Sequence, residues 1–406
     1  MYIKRHIESA VKERAQEKGA IVITGARQVG KTTLVENVVP MIEQITLDDL
    51  DTQNRAMEEP SAFIQLNPPP IFIDEVQYAP NIFPYIKINL DNSKKKGQYY
   101  LTGSHRFELM KNVTESLAGR AGILELLGLS LREIRGDNWS VPFLPTLDYL
   151  LQRKSSKKEL PISSIWEIIH RGSLPELIVN KSYNWRNFYA DYVKTYIQRD
   201  VRHLTQVANE SDFLKFMTIC ASMTGSLINL ASVSRTVGIS EPTAKRWLSI
   251  LQTSGIVYLL RPFSNNQIKR FVKTPKLYFL DTGLAAYLTR WLTPETLAEG
   301  AMSGNFFESF VFSELLKSYT NAGIEEDFYF LRDSNGKEID LIIYQDNTIY
   351  PLEIKQHSSP TNKSINSFSL LDSLKDVNIG EGGVICLAND VLPLRDNFKI
   401  IPLWAV

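Results

Sequence analysis

The sequence predicts an α/β protein of several domains, and three observations carry that reading. A strand, a glycine-bracketed loop and a helix follow one another at residues 20–36. A second apolar strand ends in two acids, Asp74-Glu75. Near the end of the chain a hairpin leads into a strand bearing an acid-x-lysine pair, Glu353-Ile354-Lys355. At 406 residues the chain is long enough for two or three domains with their own cores, and 44% hydrophobic with 22% charged residues is a globular composition, not a disordered one.

The first unit is the most specific. Ala20-Ile21-Val22-Ile23 is an apolar run of strand length, and Thr33-Leu34-Val35-Glu36 begins a helix. Between them Gly25-Ala26-Arg27-Gln28-Val29-Gly30-Lys31-Thr32 satisfies every fixed position of a phosphate-binding loop. Its glycines let the backbone wrap an anion with N–H groups, and the helix N-terminus adds positive partial charge. Gly25 through Thr33 are the expected nucleotide contacts. Within them Lys31 reaches the β- and γ-phosphates, and the Thr32 hydroxyl is a magnesium ligand. The strand Pro70-Ile71-Phe72-Ile73 then delivers Asp74 to the magnesium shell and Glu75 as the base that polarises water. ATP with Mg2+ is the expected ligand pair, and hydrolysis the expected reaction.

Two further features have a functional and a plain alternative. The strand Gln98-Tyr99-Tyr100-Leu101 ends in Thr102-Gly103-Ser104, either a polar tip whose Ser104 contacts the γ-phosphate or attacking water, or an ordinary turn. Arg120, after Leu117-Ala118-Gly119, is either an arginine finger for a neighbouring subunit's nucleotide or a surface ion pair.

The middle of the chain reads as helical. Trp185 to Leu204 carries apolar residues at helical intervals, with Arg199 and Asp200 between them. Farther on, Gly238 stops a short helix beginning near Leu230, Ser240 caps the next at Glu241, and Ile256-Val257-Tyr258-Leu259-Leu260 supplies a strand. This succession is similar to a winged helix-turn-helix. Thr243, Lys245 and Arg246 are then the expected DNA contacts, although such modules also serve protein contacts. Net charge is zero, so only local patches argue for nucleic acid, and Lys94-Lys95-Lys96 and Lys154-Ser155-Ser156-Lys157-Lys158 read as solvated runs, the second as a linker.

In the last region Glu308 shares a helix face with Val311, Phe312 and Leu315, and an acid in such a stripe needs a partner or a metal. Phe328–Arg332 and Glu338–Tyr344 flank the hairpin turn Asp333-Ser334-Asn335-Gly336, and Asp340 lies on the second strand. Glu353 and Lys355 share a face of the third by the two-residue period. Pro351 calls for an edge position or a local distortion there. The pattern resembles the core of restriction-endonuclease-like proteins. That resemblance implies Asp340, Glu353 and Glu308 as metal ligands and Lys355 as the residue that positions water or stabilises charge, with loss of cleavage as the alternative.

Taken together, Gly25–Thr32, Asp74-Glu75-Val76-Gln77, Thr102-Gly103-Ser104, Leu117-Ala118-Gly119-Arg120, Arg171-Gly172-Ser173-Leu174-Pro175-Glu176, Thr195–Val201 and Tyr278–Leu284 resemble the AAA-type ATPases of bacteria and archaea whose C-terminal region is a domain of unknown function. The resemblance implies an AAA-type P-loop ATPase domain at 1–140, a helical lid or linker at 141–206, a winged-helix-like domain at 207–265 and a nuclease-like α/β domain at 266–406. DNA, through the winged-helix-like and C-terminal regions, and further copies of the chain in a homo-oligomer are the expected partners besides ATP. No segment has the length of a membrane span, the N-terminus has no signal-peptide core, and a cytoplasmic location is the default expectation. Cys220 and Cys386 lie far apart in apolar contexts, which points to neither zinc nor a disulfide.

Overall fold

The computed structural model describes residues 2–104, 106–155, 161–196, 210–263 and 274–406, with backbone only at 106–108 and 111. Helix α1 (Glu8–Glu17) leads into β1 (Ala20–Thr24), which the glycine-bracketed loop joins to α2 (Lys31–Val38). There follow β2 (Glu43–Thr46), α3 (Leu50–Glu58), α4 (Pro60–Leu66), β3 (Ile71–Asp74), α5 (Phe83–Ser93), β4 (Tyr99–Gly103), α6 (Arg106–Ser116) and β5 (Ala121–Glu125).

These strands form one parallel sheet in the order β2-β3-β4-β1-β5. Ile21, Ile23, Phe72 and Tyr100 pack into one core, while Ala20, Val22, Ile71, Ile73, Tyr99 and Leu101 pack into another. A parallel sheet covered on both faces explains why its strands read as continuous apolar runs without polar alternation. Because the strands are parallel, the residues leaving β1, β3 and β4 emerge at the same end. Gly25, Asp74 and Thr102 therefore meet at the carboxyl edge, where such sheets receive ligands.

The helical region comprises α7 (Leu131–Ile134), α8 (Leu147–Lys154), α9 (Ile162–Arg171), α10 (Pro175–Val179) and α11 (Trp185–Tyr196). Arg199 and Asp200, and most of the basic run at 154–158, lie outside the described residues. Next come α12 (Glu210–Ser222), β6 (Ser226–Leu227), α13 (Leu230–Val237), α14 (Glu241–Thr253), β7 (Val257–Pro262) and β8 (Lys276–Phe279). Local chemistry sets these ends. The Asn229 side chain accepts from Ser232 N–H, Gly238 takes a left-handed conformation (φ 89°), and the Ser240 side chain accepts from Thr243 N–H.

The chain ends with α15 (Thr282–Leu288), α16 (Pro294–Glu299), α17 (Ser303–Thr320), β9 (Phe328–Arg332), β10 (Glu338–Gln345), β11 (Thr348–Lys355), β12 (Asn378–Ile379), β13 (Gly382–Cys386), β14 (Leu392–Arg395) and β15 (Phe398–Pro402). A single ten-stranded sheet runs β14-β15-β13-β11-β10-β9-β7-β8-β6, with β12 beside β11. A division at 265/266 does not separate its parts. Strand β7 pairs antiparallel with β8 through Val257–Leu260 and parallel with β9 through Arg261 and Pro262.

The expected hairpin forms between β9 and β10. Pro351 is not on an edge strand, since β11 lies between β10 and β13. It falls between Ile349, the last residue paired to β12, and Leu352, the first paired to β13, where the ladder is already interrupted. The register of β10 against β9 shifts between Ile339 and Ile342, a bulge that contains Asp340. Bulges of this kind re-aim a side chain. Among the described residues no helix is long and apolar enough to cross a membrane. Cys220 and Cys386 are both buried free thiols.

The segments around Gly172 and Asp281, distant in sequence, meet in the core. Asp281 accepts from Ser173 N–H at 2.7 Å, Ser173 Oγ at 2.9 Å, the Tyr189 hydroxyl at 2.6 Å and Leu284 N–H at 2.8 Å, the last capping α15. Gly172 has φ 87° and ψ −171°, a region that only glycine occupies readily. A Cβ there would lie 2.2 Å from the Tyr189 hydroxyl and 2.7 Å from an Asp281 oxygen. Gly172→Ala is expected to destabilise the chain by at least ~2 kcal/mol, measured by chemical denaturation. A surface-like change within about 0.5 kcal/mol would contradict this packing.

Candidate functional site

At the carboxyl edge of the first sheet the loop residues take the backbone that their sequence demands. Gly25 (φ 148°) and Gly30 (φ 91°, ψ 33°) are left-handed, and so is Gln28 (φ 61°). At Gly25 a side chain is also excluded sterically, because a Cβ would sit 2.1 Å from the Leu126 carbonyl oxygen. Lys31, the first residue of α2, is buried and donates to the carbonyls of Gly25 at 3.1 Å and Ala26 at 3.0 Å, so its ammonium lies within the loop.

The two acids of β3 have different surroundings. Asp74 Oδ2 accepts from the Thr32 hydroxyl at 2.8 Å, and Oδ1 accepts from the Thr102 hydroxyl and from Glu75 N–H at 3.1 Å. Hard oxygen donors from α2 and β3 thus stand side by side, the chemistry magnesium requires. Glu75 sits on a left-handed backbone (φ 52°, ψ 44°), and its Oε2 accepts from the Gln77 amide at 2.5 Å, Ser104 N–H at 3.1 Å and Ser104 Oγ at 3.2 Å. Burial pushes the Glu75 carboxyl up, but Lys31, Gln77, Ser104 and Arg27 outweigh it and hold it below the usual carboxylate range. Ser104 therefore touches the expected base.

Thr33 is exposed on the outer side of α2. Arg120 lies elsewhere. It precedes β5, whose Ala121 pairs with Ala20, so it stands at the opposite end of the sheet from this chain's own loop, ~16 Å away at ~3.3 Å per strand residue. There it makes a two-pronged ion pair with Asp91, Nε to Oδ1 at 2.5 Å and Nη2 to Oδ2 at 3.0 Å. The surface-pair alternative describes this placement.

The loop is also a junction. A Cβ on Gly255, just past α14, would lie 3.4 Å from Ala26 N, and one on Gly30 would lie 3.8 Å from Pro175 Cγ. The helical region and the segment after α14 therefore both border the phosphate loop.

A second cluster occupies the large sheet. Lys355 Nζ contacts Asp340 Oδ2 at 3.0 Å and Glu353 Oε2 at 2.7 Å, Ile354 N–H donates to Asp340 Oδ2 at 2.9 Å, and the Ser367 hydroxyl donates to Glu353 Oε1. Glu308 on α17 borders them, close enough that Asp340 and Lys276 both act on its carboxyl. Its Oε1 accepts from Lys276 Nζ at 2.6 Å and the Tyr278 hydroxyl at 2.6 Å, and Lys276 also reaches Glu338 at 2.7 Å. Among the described residues no group of three or more His, Cys, Asp or Glu is arranged to hold a metal ion. In this arrangement Lys276 and Lys355 stand on the carboxylates of Glu308, Asp340 and Glu353, the three positions expected as metal ligands.

Gln77 and Tyr278 fall in segments that carry the family resemblance but had no role assigned, and Lys276 and Ser367 were not expected from the sequence. A lysine inside the apolar strand Lys276-Leu277-Tyr278-Phe279 was a visible signal for Lys276; Ser367 carried none. Around the cluster burial raises Glu353 to about 8, helped by neighbouring Asp340 and opposed by Lys355. Burial acts the same way on Asp340, but Lys276 and Lys355 reverse it and hold that carboxyl low.

Comparison with known proteins finds family models over three segments of the chain. Residues 17–135 match the family model of an AAA domain, residues 162–295 a domain of unknown function (DUF8612) and residues 303–406 another (DUF4143). An uncharacterized protein of Mycobacterium tuberculosis is 26% identical over 408 residues, covering 99% of this chain and 84% of that one. An uncharacterized protein of Methanocaldococcus jannaschii is 22% identical, covering 94% and 87%. Among solved structures the Walker-type ATPase of Pyrococcus abyssi aligns at a TM-score of 0.43 and 15% identity, over 71% of this chain and 96% of that one. AMPPCP-bound DnaA from Aquifex aeolicus aligns at 0.30 and 13%, over 61% and 85%. The family match supports an AAA-type P-loop region at the N-terminal end.

The raised Glu353 has a consequence for stability. A carboxyl whose folded pKa lies above its ordinary value stabilises the fold fully below that ordinary value, and the contribution is lost as pH rises through about 8. Calorimetric melting without divalent ions is expected to show Glu353→Gln gaining on wild type as pH rises from about 5 to about 9. A constant difference across that range would contradict the raised value.

Proposed function

We propose that the chain is a magnesium-dependent ATPase that couples nucleotide turnover to a DNA-associated C-terminal module. The observation that carries this reading is the convergence, at one sheet edge, of Lys31 in its loop, Thr32 on Asp74, and Glu75 beside them. Gly25–Thr33 with Arg27 bind and orient the triphosphate through backbone N–H groups and charge. Thr32 and Asp74 would hold Mg2+, which neutralises phosphate charge when bound. Lys31 leaves the loop carbonyls for the phosphates, and Glu75, kept ionised by its surroundings, orients the attacking water and accepts its proton. Thr102 and Ser104 keep the two acids apart in role by holding each on its own partner.

Coupling is supported by the borders of the loop. Pro175 and Gly255 border it from the helical and post-α14 segments, so a change of loop conformation on binding nucleotide would press on both. The DNA association rests on the three-helix arrangement α12, α13 and α14 with the β6-β8-β7 strands, which has the element order of a winged helix. Lys245 and Arg246 lie exposed near the start of α14, where a groove or phosphate contact belongs. Arg120 would act on a neighbouring subunit's nucleotide only after leaving Asp91.

Lys31→Ala is expected to abolish ATP binding, read with a fluorescent ATP analogue, and with it turnover. Glu75→Gln is expected to bind normally and hydrolyse ~100-fold more slowly. Normal turnover in both variants sinks the assignment.

A second reading, metal-dependent DNA cleavage by the last domain, is favoured by the approach of Asp340, Glu353 and Lys355. It predicts nicking of single- or double-stranded DNA with magnesium or manganese that disappears in Asp340→Ala. Intact DNA under all these conditions leaves a docking role for the domain.

A further inference from the structure

The N-terminal arm before α1 sets one side chain behind the phosphate loop. Arg5 is 3% exposed, and its guanidinium is directed at four acceptors. Nε donates to Glu133 Oε1 at 3.1 Å, Nη1 to the Val29 carbonyl at 3.0 Å, and Nη2 to the carbonyls of Leu127 at 2.8 Å and Gly128 at 3.3 Å. Glu133 is itself fixed. Its Oε1 accepts from His6 N–H at 2.8 Å, and its Oε2 accepts from Ser130 N–H at 2.7 Å in the capping box of α7. Burial pushes the Glu133 carboxyl up, but Arg5 and the N–H groups of Ser130 and His6 prevail and hold it low. Both charges are out of water and each is bonded at several atoms, the form in which a buried ion pair holds a geometry.

Anchoring the arm would need only Glu133 and the carbonyls after β5. The bond to Val29 does something else. Val29 lies inside the loop, directly before Gly30, whose left-handed backbone turns the chain into α2. A trans peptide is planar, with its C=O and N–H on opposite sides. Holding the Val29 oxygen on a buried guanidinium therefore aims the N–H of Gly30 away from the protein body, to the side where the loop receives an anion.

We propose that Arg5 is a positioning residue for nucleotide binding: its grip on the Val29 carbonyl presets a phosphate-facing amide, so the loop needs no reordering when the nucleotide arrives. The inference rests on the nucleotide reading above. A lysine at this position keeps a positive charge opposite Glu133 but lacks the planar fork that reaches Glu133 and Val29 together.

The test uses the full chain as wild type, Arg5→Lys, and the double variant Arg5→Met/Glu133→Met, which removes both buried charges together. Each is checked for folding by circular dichroism and melting. ATP turnover and binding of a fluorescent ATP analogue are then measured. The expected result is a rise in KM and Kd of about tenfold in both variants, with kcat within about threefold, because preorganisation is lost while Lys31 and Glu75 are untouched. A purely structural arm residue would instead lower the melting temperature and the active fraction, so that kcat per chain falls at constant KM. That pattern, an unchanged KM in folded Arg5→Lys, or failure of both variants to fold, overturns the proposal. A wild-type chain that neither binds nor hydrolyses ATP overturns the nucleotide reading itself, and this inference with it.

Discussion

The short stretch after β5, residues 127–134, is where separate parts of the chain are bonded to one another. On one side Arg5 and Glu133 tie it to the arm and to Val29 in the phosphate loop. On the other, Glu314 Oε2 accepts Leu131 N–H at 2.6 Å, and Lys317 Nζ donates to the Leu129 carbonyl at 3.1 Å and to Glu314 at 2.8 Å. Arg132 reaches the carbonyl of Val406 and the Tyr149 hydroxyl. All of these charged side chains are buried. Removing one partner of such a pair strands the other away from water at a cost of about 3–5 kcal/mol, so the stretch is fixed in place by its own charges.

That constraint joins the two sites physically. Helix α17, which carries Glu314 and Lys317 against residues 129–131, also carries Glu308 in the lysine-bound carboxylate cluster. The second sheet continues from β9 through β7 into β8, so Lys276 reaches Glu308 from a strand that also pairs with β6 beside the helices. The glycine-bracketed loop and the carboxylate cluster are parts of one bonded framework. A formal net charge of zero over the whole chain conceals this, because the charges that matter are paired inside.

What was legible in the sequence was local. The phosphate loop is read within eight residues because its glycines, lysine and threonine fall within one turn, and Asp74-Glu75 follows from a strand end of the same kind. The helix stop at Gly238 and the start at Ser240 are equally local. Long-range partners were not legible. Nothing near Glu308 announces Lys276, thirty-two residues away, and the acid on its apolar stripe showed only that some partner was needed. Pro351 signalled an interruption in the ladder, but whether it lay at an edge or beside a broken neighbour depended on β12 and β13, which follow it. Arg5, in a short basic arm, gave no hint that it would be buried.

Hydrogen–deuterium exchange of the wild-type chain with and without Mg-ATP tests the central claim most directly. The account predicts slowed exchange at the loop residues 25–32 together with the bonded stretch at 127–134 and the part of α17 that contacts it. Protection confined to the loop would show a nucleotide site that does not engage the framework. Unchanged exchange throughout, at saturating nucleotide, would contradict the account at its root.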